Sequence, residues 1–371
     1  MSPVPAERAE RLAELVAERD LDQLIVGDLV RPGDSGPDAG ADSRWLTGFT
    51  GTSALAIVGP EVRIFITDFR YVERAAREVG DAFERVSAES RLLPTLAGRL
   101  RGRVGFDDTQ TSVANRNKLE QSIEETGSGV ELVAAAGLVG RLRRQKDPAE
   151  QEAIAAAARL TDEAYESVLA GGLVGRTERE VGRAATARIR ELGAEPAFAA
   201  IVGAGENGAL PHAEPTDREI RAGDLVVWDM GALLDGYCSD CTRTFAAGEP
   251  GEDAREIYEL VRRAQAAGLE AVGPGVGGRD ADEAARTIIR EAGHEENFGH
   301  GLGHGVGLEV HEPPRMGPRS EDVLEEGDVV SVEPGVYLPG RFGVRIEDLV
   351  VITAEGHRNF SSLPKELRVV G

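Results

Sequence analysis

A chain of 371 residues, 41% hydrophobic and 29% charged, has the length for two globular domains, each with a substantial core. Its net charge of −23 argues against nucleic acid and against an anionic membrane surface as partners. No apolar run approaches the roughly 20 residues of a membrane span, and the charged N-terminus "MSPVPAERAERLAELVAERD" lacks the apolar core of a signal peptide. A cytoplasmic location is therefore expected.

In chain order, residues 1–140 mix short apolar runs with amphipathic helices. "SALAIVG", "VRIFITD" and "GRVGFDD" predict strands, and Ala6–Glu18 and Ser112–Glu125 predict helices. This is an α/β pattern without a phosphate-binding glycine loop. "RPGDSGPDAGADSR" reads as a loop. A basic connector, "RLRRQKDPAEQEAI", then enters a long helix with Asp147 as N-cap, Pro148 at its first position and Glu150 closing a capping box.

Residues 141–371 repeat one order of elements. Helices over 148–170 and 178–192 precede a hairpin, and the second of these helices starts at the box Thr177-x-x-Glu180 and ends at Gly193. Helices over 252–271 and 281–292, the latter capped by Asp280 and Gly293, precede another hairpin. Helix, helix, hairpin, twice, is an internal duplication of order within an α+β domain.

Both hairpins carry acids where strands read as buried. In "VVWDMGALLDGYCSDCTRTF" the Asp235-Gly236 pair signals a turn. Centring on Leu234-Asp235 pairs Asp229 with Asp240, and centring on Asp235-Gly236 moves the pairing by two and keeps both on one face. In "DVVSVEPGVYLPGRFGVRIEDLVVI" a turn centred on Gly340 sets Glu333 opposite Glu347. Facing carboxylates repel, and burying them is costly unless positive charge meets them. Arg243 and Arg345 are too few for four acids, so a pair of divalent cations fits better. The two cysteines, Cys238 and Cys241, lie three apart on a strand and point to opposite faces, which disfavours a local disulfide.

Between the hairpins, "NFGHGLGHGVGLEVHEPPRM" brings His300, His304 and His311 close together in a glycine-rich bend. One histidine with four carboxylates makes a hard, oxygen-rich site suited to Mn²⁺, Co²⁺, Fe²⁺ or Zn²⁺.

With these residues in view, "WDMGALLDGYCSDCTRTF", "GHGLGHGVGLEVHE", "SVEPGVY" and "VRIED" resemble the pita-bread metallopeptidases, in their Xaa-Pro dipeptidase (prolidase) and Xaa-Pro aminopeptidase branch. "WLTGFTGTSALAIV", "DFRY" and "RLRRQKDPAEQEAI" resemble the creatinase-like N-terminal domain and junction of the same branch. The resemblance covers nearly the whole chain. It implies a creatinase-like α/β domain over 1–140 and a pita-bread catalytic domain over 141–371.

The resemblance also implies site roles. Asp229 would chelate one metal, Asp240 and Glu347 would bridge both, and His304 and Glu333 would complete the second. Mn²⁺ or Co²⁺ is the expected pair, with Zn²⁺ and Fe²⁺ compatible. His212, in "NGALPHAEP", and His311 match histidines near the scissile amide, while Arg315 and Arg345 match positions near the substrate carboxylate; His300 reads as structural. Two metals lower the pKa of a shared water toward about 7, with Glu333 as general base and proton shuttle. The implied substrates are short proline-containing peptides, and a homodimer is expected because the family commonly dimerises.

Compact length and Arg315 favour the dipeptidase over the aminopeptidase. Other C–N hydrolases of this fold compete: creatinase-like members lose the acidic ligands, all five of which are present here, and ectoine-hydrolase-like members remain an alternative. Methionine aminopeptidase lacks such an N-terminal domain. An inactive binding module would be expected to have lost ligands.

Overall fold

The computed structural model describes residues 4–27, 40–89 and 91–371. The chain divides into two compact units, Met1–Arg143 and Arg144–Gly371. No helix among the described residues is long and apolar enough to cross a membrane.

The first unit is built on six strands, β1 (Gln23–Val26), β2 (Ala54–Gly59), β3 (Val62–Asp68), β4 (Glu84–Ala88), β5 (Arg103–Phe106) and β6 (Glu131–Ala134). They form one mixed sheet in the order β4-β3-β2-β1-β5-β6. Its helices are α1 (Val4–Glu18), α2 (Ala41–Thr47), α3 (Val72–Glu78), α4 (Leu92–Ala97), α5 (Val113–Thr126) and α6 (Leu138–Arg144), which runs to the unit boundary. Ile25, Leu55, Ile57, Ile64 and Ile66 share one core with Leu96, Leu119 and Ile123. The stretch expected as a loop, Arg31–Arg44, is only partly so. Residues 31–39 lie outside the described residues, whereas its end enters α2, because Trp45 and Leu46 are buried there.

The second unit contains the repeated order. Helix α7 (Pro148–Leu169) starts at Asp147, whose side chain accepts from Ala149 N and Glu150 N while Glu150 returns the bond. Helix α8 (Glu178–Glu191) starts at the Thr177 capping box, and Gly193 follows it in the left-handed region at φ +90°. The strands of this half are β7 (Glu195–Pro196), β8 (Ile201–Ala204), β9 (Asp224–Met230), β10 (Ala232–Leu234), β11 (Tyr237–Cys238) and β12 (Cys241–Ala247). The second half begins with α9 (Glu252–Ala271) and α10 (Gly278–Glu291). Asp280 does not cap α10: the helix starts at Gly278, two residues earlier, where a Cβ would collide with Arg315 O. Close packing on that carbonyl, rather than the local capping preference, sets the start. Strands β13 (Gly303–Gly305), β14 (Glu312–Met316), β15 (Val329–Val332), β16 (Gly335–Leu338), β17 (Phe342–Arg345), β18 (Asp348–Thr353), β19 (Gly356–Asn359) and β20 (Val369–Val370) complete the unit.

The two hairpins have fixed registers. In the first, Thr242 faces Asp229 and Leu233 faces Cys238, so the turn centres on Asp235-Gly236. Both turn residues have positive φ, +50° and +85°, as a two-residue hairpin turn of this hand requires. The second hairpin pairs Val332 with Asp348 and Gly335 with Arg345. That register sets Glu333 opposite Glu347, about a turn at Gly340, which has φ +73°. Each hairpin is interrupted partway, dividing its strands between two sheets. The carboxylates gather around these interruptions.

Candidate active site

Asp229, Asp240 and Glu347 are buried, and each offers an oxygen within 4.8 Å of the other two. Asp229 stands on β9, Asp240 immediately precedes β12, and Glu347 immediately precedes β18. Burial pushes all three carboxyls up, those of Asp240 and Glu347 well above the ordinary value. At Asp240 and Glu347 the neighbouring acids push them further in the same direction. Asp229 Oδ1, Asp240 Oδ1 and Glu347 Oε1 are each buried with no hydrogen-bond partner. Three buried acceptors left unsatisfied in one cluster call for positive charge beyond the one arginine that reaches Asp229. The donor set fits divalent cations, which take carboxylate oxygens readily.

His304 and Glu333 border the trio. His304 Nε2 lies 3.2 Å from Glu333 Oε1 and 3.8 Å from Asp240 Oδ2. Its Nδ1 lies 3.1 Å from Gly305 O. With a cation held by these acids, a proton on Nδ1 directed at that carbonyl would leave the Nε2 lone pair free to face it, as a metal-ligating imidazole requires; without one, Nε2 faces Glu333 as a donor. Ser331 Oγ fixes both residues, accepting from His304 N at 3.1 Å and donating to Glu333 Oε1 at 3.0 Å. Burial raises the Glu333 carboxyl, but the hydrogen bond and charge of His304, with His300 and Arg345, outweigh it and hold the group at about 2.

Arginine pairing does not account for the acids. Arg345 is buried and donates from Nη2 to Asp229 Oδ2 at 2.7 Å. Its Nη1 donates to Tyr337 OH at 2.9 Å and Pro211 O at 3.0 Å, and its Nε to Thr242 Oγ1 at 2.9 Å. Thr242 in turn donates to Glu347 Oε2 at 2.8 Å. Arg243 pairs with Asp348, outside the cluster. Each Arg345 nitrogen is thus engaged by protein, while the residue also lines the pocket in which a substrate carboxylate is expected. Arg315 is different: it is exposed, lies opposite His304 across the β13–β14 ladder, and lines the pocket.

That pocket has a volume of about 710 Å³ and includes Asp229, Asp240, His304 and Glu333 in its wall. His212 and His311 also line it, both on its solvent side. The His304 and His311 rings are 4.3 Å apart. Removal from water, then His304 and Arg315, lowers His311 to about 4, so its imidazole is neutral at pH 7. His300 is held by Gly301 O and Tyr337 OH, at 2.8 and 2.9 Å. Phe198, Ile201 and Val310 supply apolar wall. Cys238 and Cys241 are free and buried.

Tyr337, Thr242 and Ser331 also support the site, bonding Arg345, Glu347 and Glu333. A period-two signal was available: Thr242 follows Asp240 by two, and Ser331 precedes Glu333 by two, which puts each on its neighbour's face.

Comparison with known proteins places this geometry. Residues 152–354 match the model of metallopeptidase family M24, and residues 8–145 match that of the creatinase/prolidase N-terminal domain. The chain is 37% identical over 368 residues to an uncharacterised peptidase of Bacillus subtilis, YqhT, with 98% of this chain and 100% of that one covered. A Xaa-Pro dipeptidase from Bacillus anthracis has a similar structure, with TM-score 0.92 and 35% identity over 99% of this chain and 100% of that one. An X-Pro aminopeptidase from Thermotoga maritima gives TM-score 0.87 and 32% identity, over 98% and 100%.

Proposed function

The chain belongs to metallopeptidase family M24, and from that membership we propose that it is a dinuclear Xaa-Pro dipeptidase acting on short proline-containing peptides. It is a metal-dependent peptidase of the prolidase type, with a creatinase-like α/β domain ahead of a pita-bread catalytic domain. The observation that carries the dipeptidase reading is Arg315, exposed in the pocket wall directly across the ladder from His304.

In this reading Asp229, Asp240, Glu347, His304 and Glu333 are the residues that would hold the cations, with Asp240 and Glu347 shared between them. Mn²⁺ or Co²⁺ is proposed, on the strength of four carboxylates and one imidazole. When bound, the cations supply Lewis acidity that makes water nucleophilic near neutral pH. Glu333 takes the proton from the attacking water. It then delivers that proton to the leaving nitrogen, because an imide before proline has no N–H of its own. His212 and His311, the latter neutral, donate N–H to the oxygen that becomes negative as the carbonyl is attacked. Arg315 meets the carboxylate of the proline as a planar fork. Arg345 holds Asp229 and so positions a ligand.

A second reading, aminopeptidase P, is favoured by the pocket of about 710 Å³, which leaves room beyond a dipeptide. Substrate length separates the two. Ala-Pro should exceed Ala-Pro-Gly-Gly in kcat/KM, and Arg315→Ala should lower Ala-Pro by about 1.5–3 kcal/mol and the tetrapeptide less. Equal or better cleavage of the tetrapeptide by the unmutated enzyme moves the assignment to the aminopeptidase.

A further inference from the structure

His212 reaches the pocket from an irregular segment, and among the described residues its ring has no hydrogen-bond partner. Its place is therefore set by the backbone around it. The grip on that backbone comes from a residue outside the pocket, Glu178, the first residue of α8. The Glu178 side chain is fully buried. Its Oε1 accepts from Ala204 N at 2.8 Å and Asn207 Nδ2 at 3.0 Å. Its Oε2 accepts from Thr216 N at 3.0 Å, Thr216 Oγ1 at 2.6 Å and Asn207 Nδ2 at 3.1 Å. Ala204 and Thr216 bracket the segment that carries His212. Between these anchors, Arg345 Nη1 donates to Pro211 O, the residue before His212.

The other half of the duplication contains a parallel. On α10, Asp282 Oδ1 accepts from Leu302 N at 2.9 Å, and its partner Arg286 donates to Phe298 O and His300 O at 2.8 and 2.7 Å. In each half, then, a buried acid on the second helix holds the segment that brings histidine to the pocket.

We propose that Glu178 is the positioning residue for His212: one buried carboxylate closes both ends of the segment and so fixes where the imidazole stands relative to the scissile amide. The inference rests on the role assigned to His212 above. A carboxylate is needed because both oxygens face donors. A glutamine would turn its NH₂ toward Asn207 Nδ2 and either Ala204 N or the Thr216 donors, leaving a buried clash of donors in each orientation.

The test is a double-mutant cycle on the metal-loaded enzyme, with hydrogen exchange on the same proteins. Glu178→Gln should keep the metals, speed amide exchange in residues 204–216, and lower kcat by about 10- to 100-fold, as a misplaced catalytic group does. In a His212→Ala background the same change should lower kcat no further. Asn207→Ala and Thr216→Val, which each remove part of the grip, should show the same coupling if Glu178→Gln does not fold. Additive losses in the cycle, or unaltered exchange in 204–216, would overturn the proposal. If His212→Ala alone leaves kcat unchanged, the role of His212 falls and the catalytic half of the proposal with it, while exchange still decides whether Glu178 holds the segment.

Discussion

Arg345 and Asp229 form a buried ion pair, 2.7 Å from Nη2 to Oδ2, that ties the second hairpin to the first. Asp229 lies in β9 and Arg345 at the end of β17, so one guanidinium connects the two halves of the duplication at the cluster. The same side chain reaches Thr242, which donates to Glu347. Arg345 therefore places Asp229 directly and Glu347 through Thr242, and Asp229 Oδ1, Asp240 Oδ1 and Glu347 Oε1 stay without a hydrogen-bond partner.

Arg345→Ala strands a buried carboxylate and should cost about 3–5 kcal/mol of stability, together with metal affinity. Arg345→Lys restores the charge but not the fork that reaches Asp229, Thr242 and Tyr337 together. Urea unfolding and metal analysis should place the lysine variant between alanine and the unmutated protein. Unmutated stability and metal content in Arg345→Lys would mean that charge alone suffices.

The histidines should separate into two classes. His304→Ala removes an imidazole that faces the acids, and metal content should fall toward one cation per chain. His212→Ala and His311→Ala should retain both metals and lose about 10²–10³ in kcat, the effect of one missing oxyanion donor. Metal loss in either of the latter would make that histidine a ligand.

Much of this site could be read before the structure. The glycine at 340 and the Asp235-Gly236 pair fix the turns, and two-residue periodicity then carries the acids to one face of each hairpin. The capping boxes at Asp147 and Thr177 likewise follow from local chemistry. What local chemistry does not carry is tertiary. The start of α10 at Gly278 depends on a carbonyl from β14. The engagement of Arg345 depends on Asp229 and Pro211, more than a hundred residues away. The strand expected from "GRVGFDD" shortens to Arg103–Phe106, since pairing with β1 and β6 ends there.

Acid pH offers a check on His311. Its folded value, about 4, lies below the ordinary histidine value near 6.5, so the unfolded chain takes this proton first. His311 thus withdraws stability as pH falls from about 6.5 toward 4 and contributes no change above that window. Bound cations push its value down further. Accordingly, kcat/KM of the unmutated enzyme and of His311→Ala should share the same acid limb between about pH 5 and 8. An ionisation in that range that vanishes in His311→Ala would show the imidazole charging during turnover.

The most direct measurement is a metal titration of chelator-treated protein, with Ala-Pro hydrolysis and bound metal determined on the same samples. If Asp229, Asp240, His304, Glu333 and Glu347 hold a working pair of cations, the stripped protein is inactive, and Mn²⁺ or Co²⁺ restores turnover up to about two equivalents per chain. Full activity in metal-free protein would contradict the account.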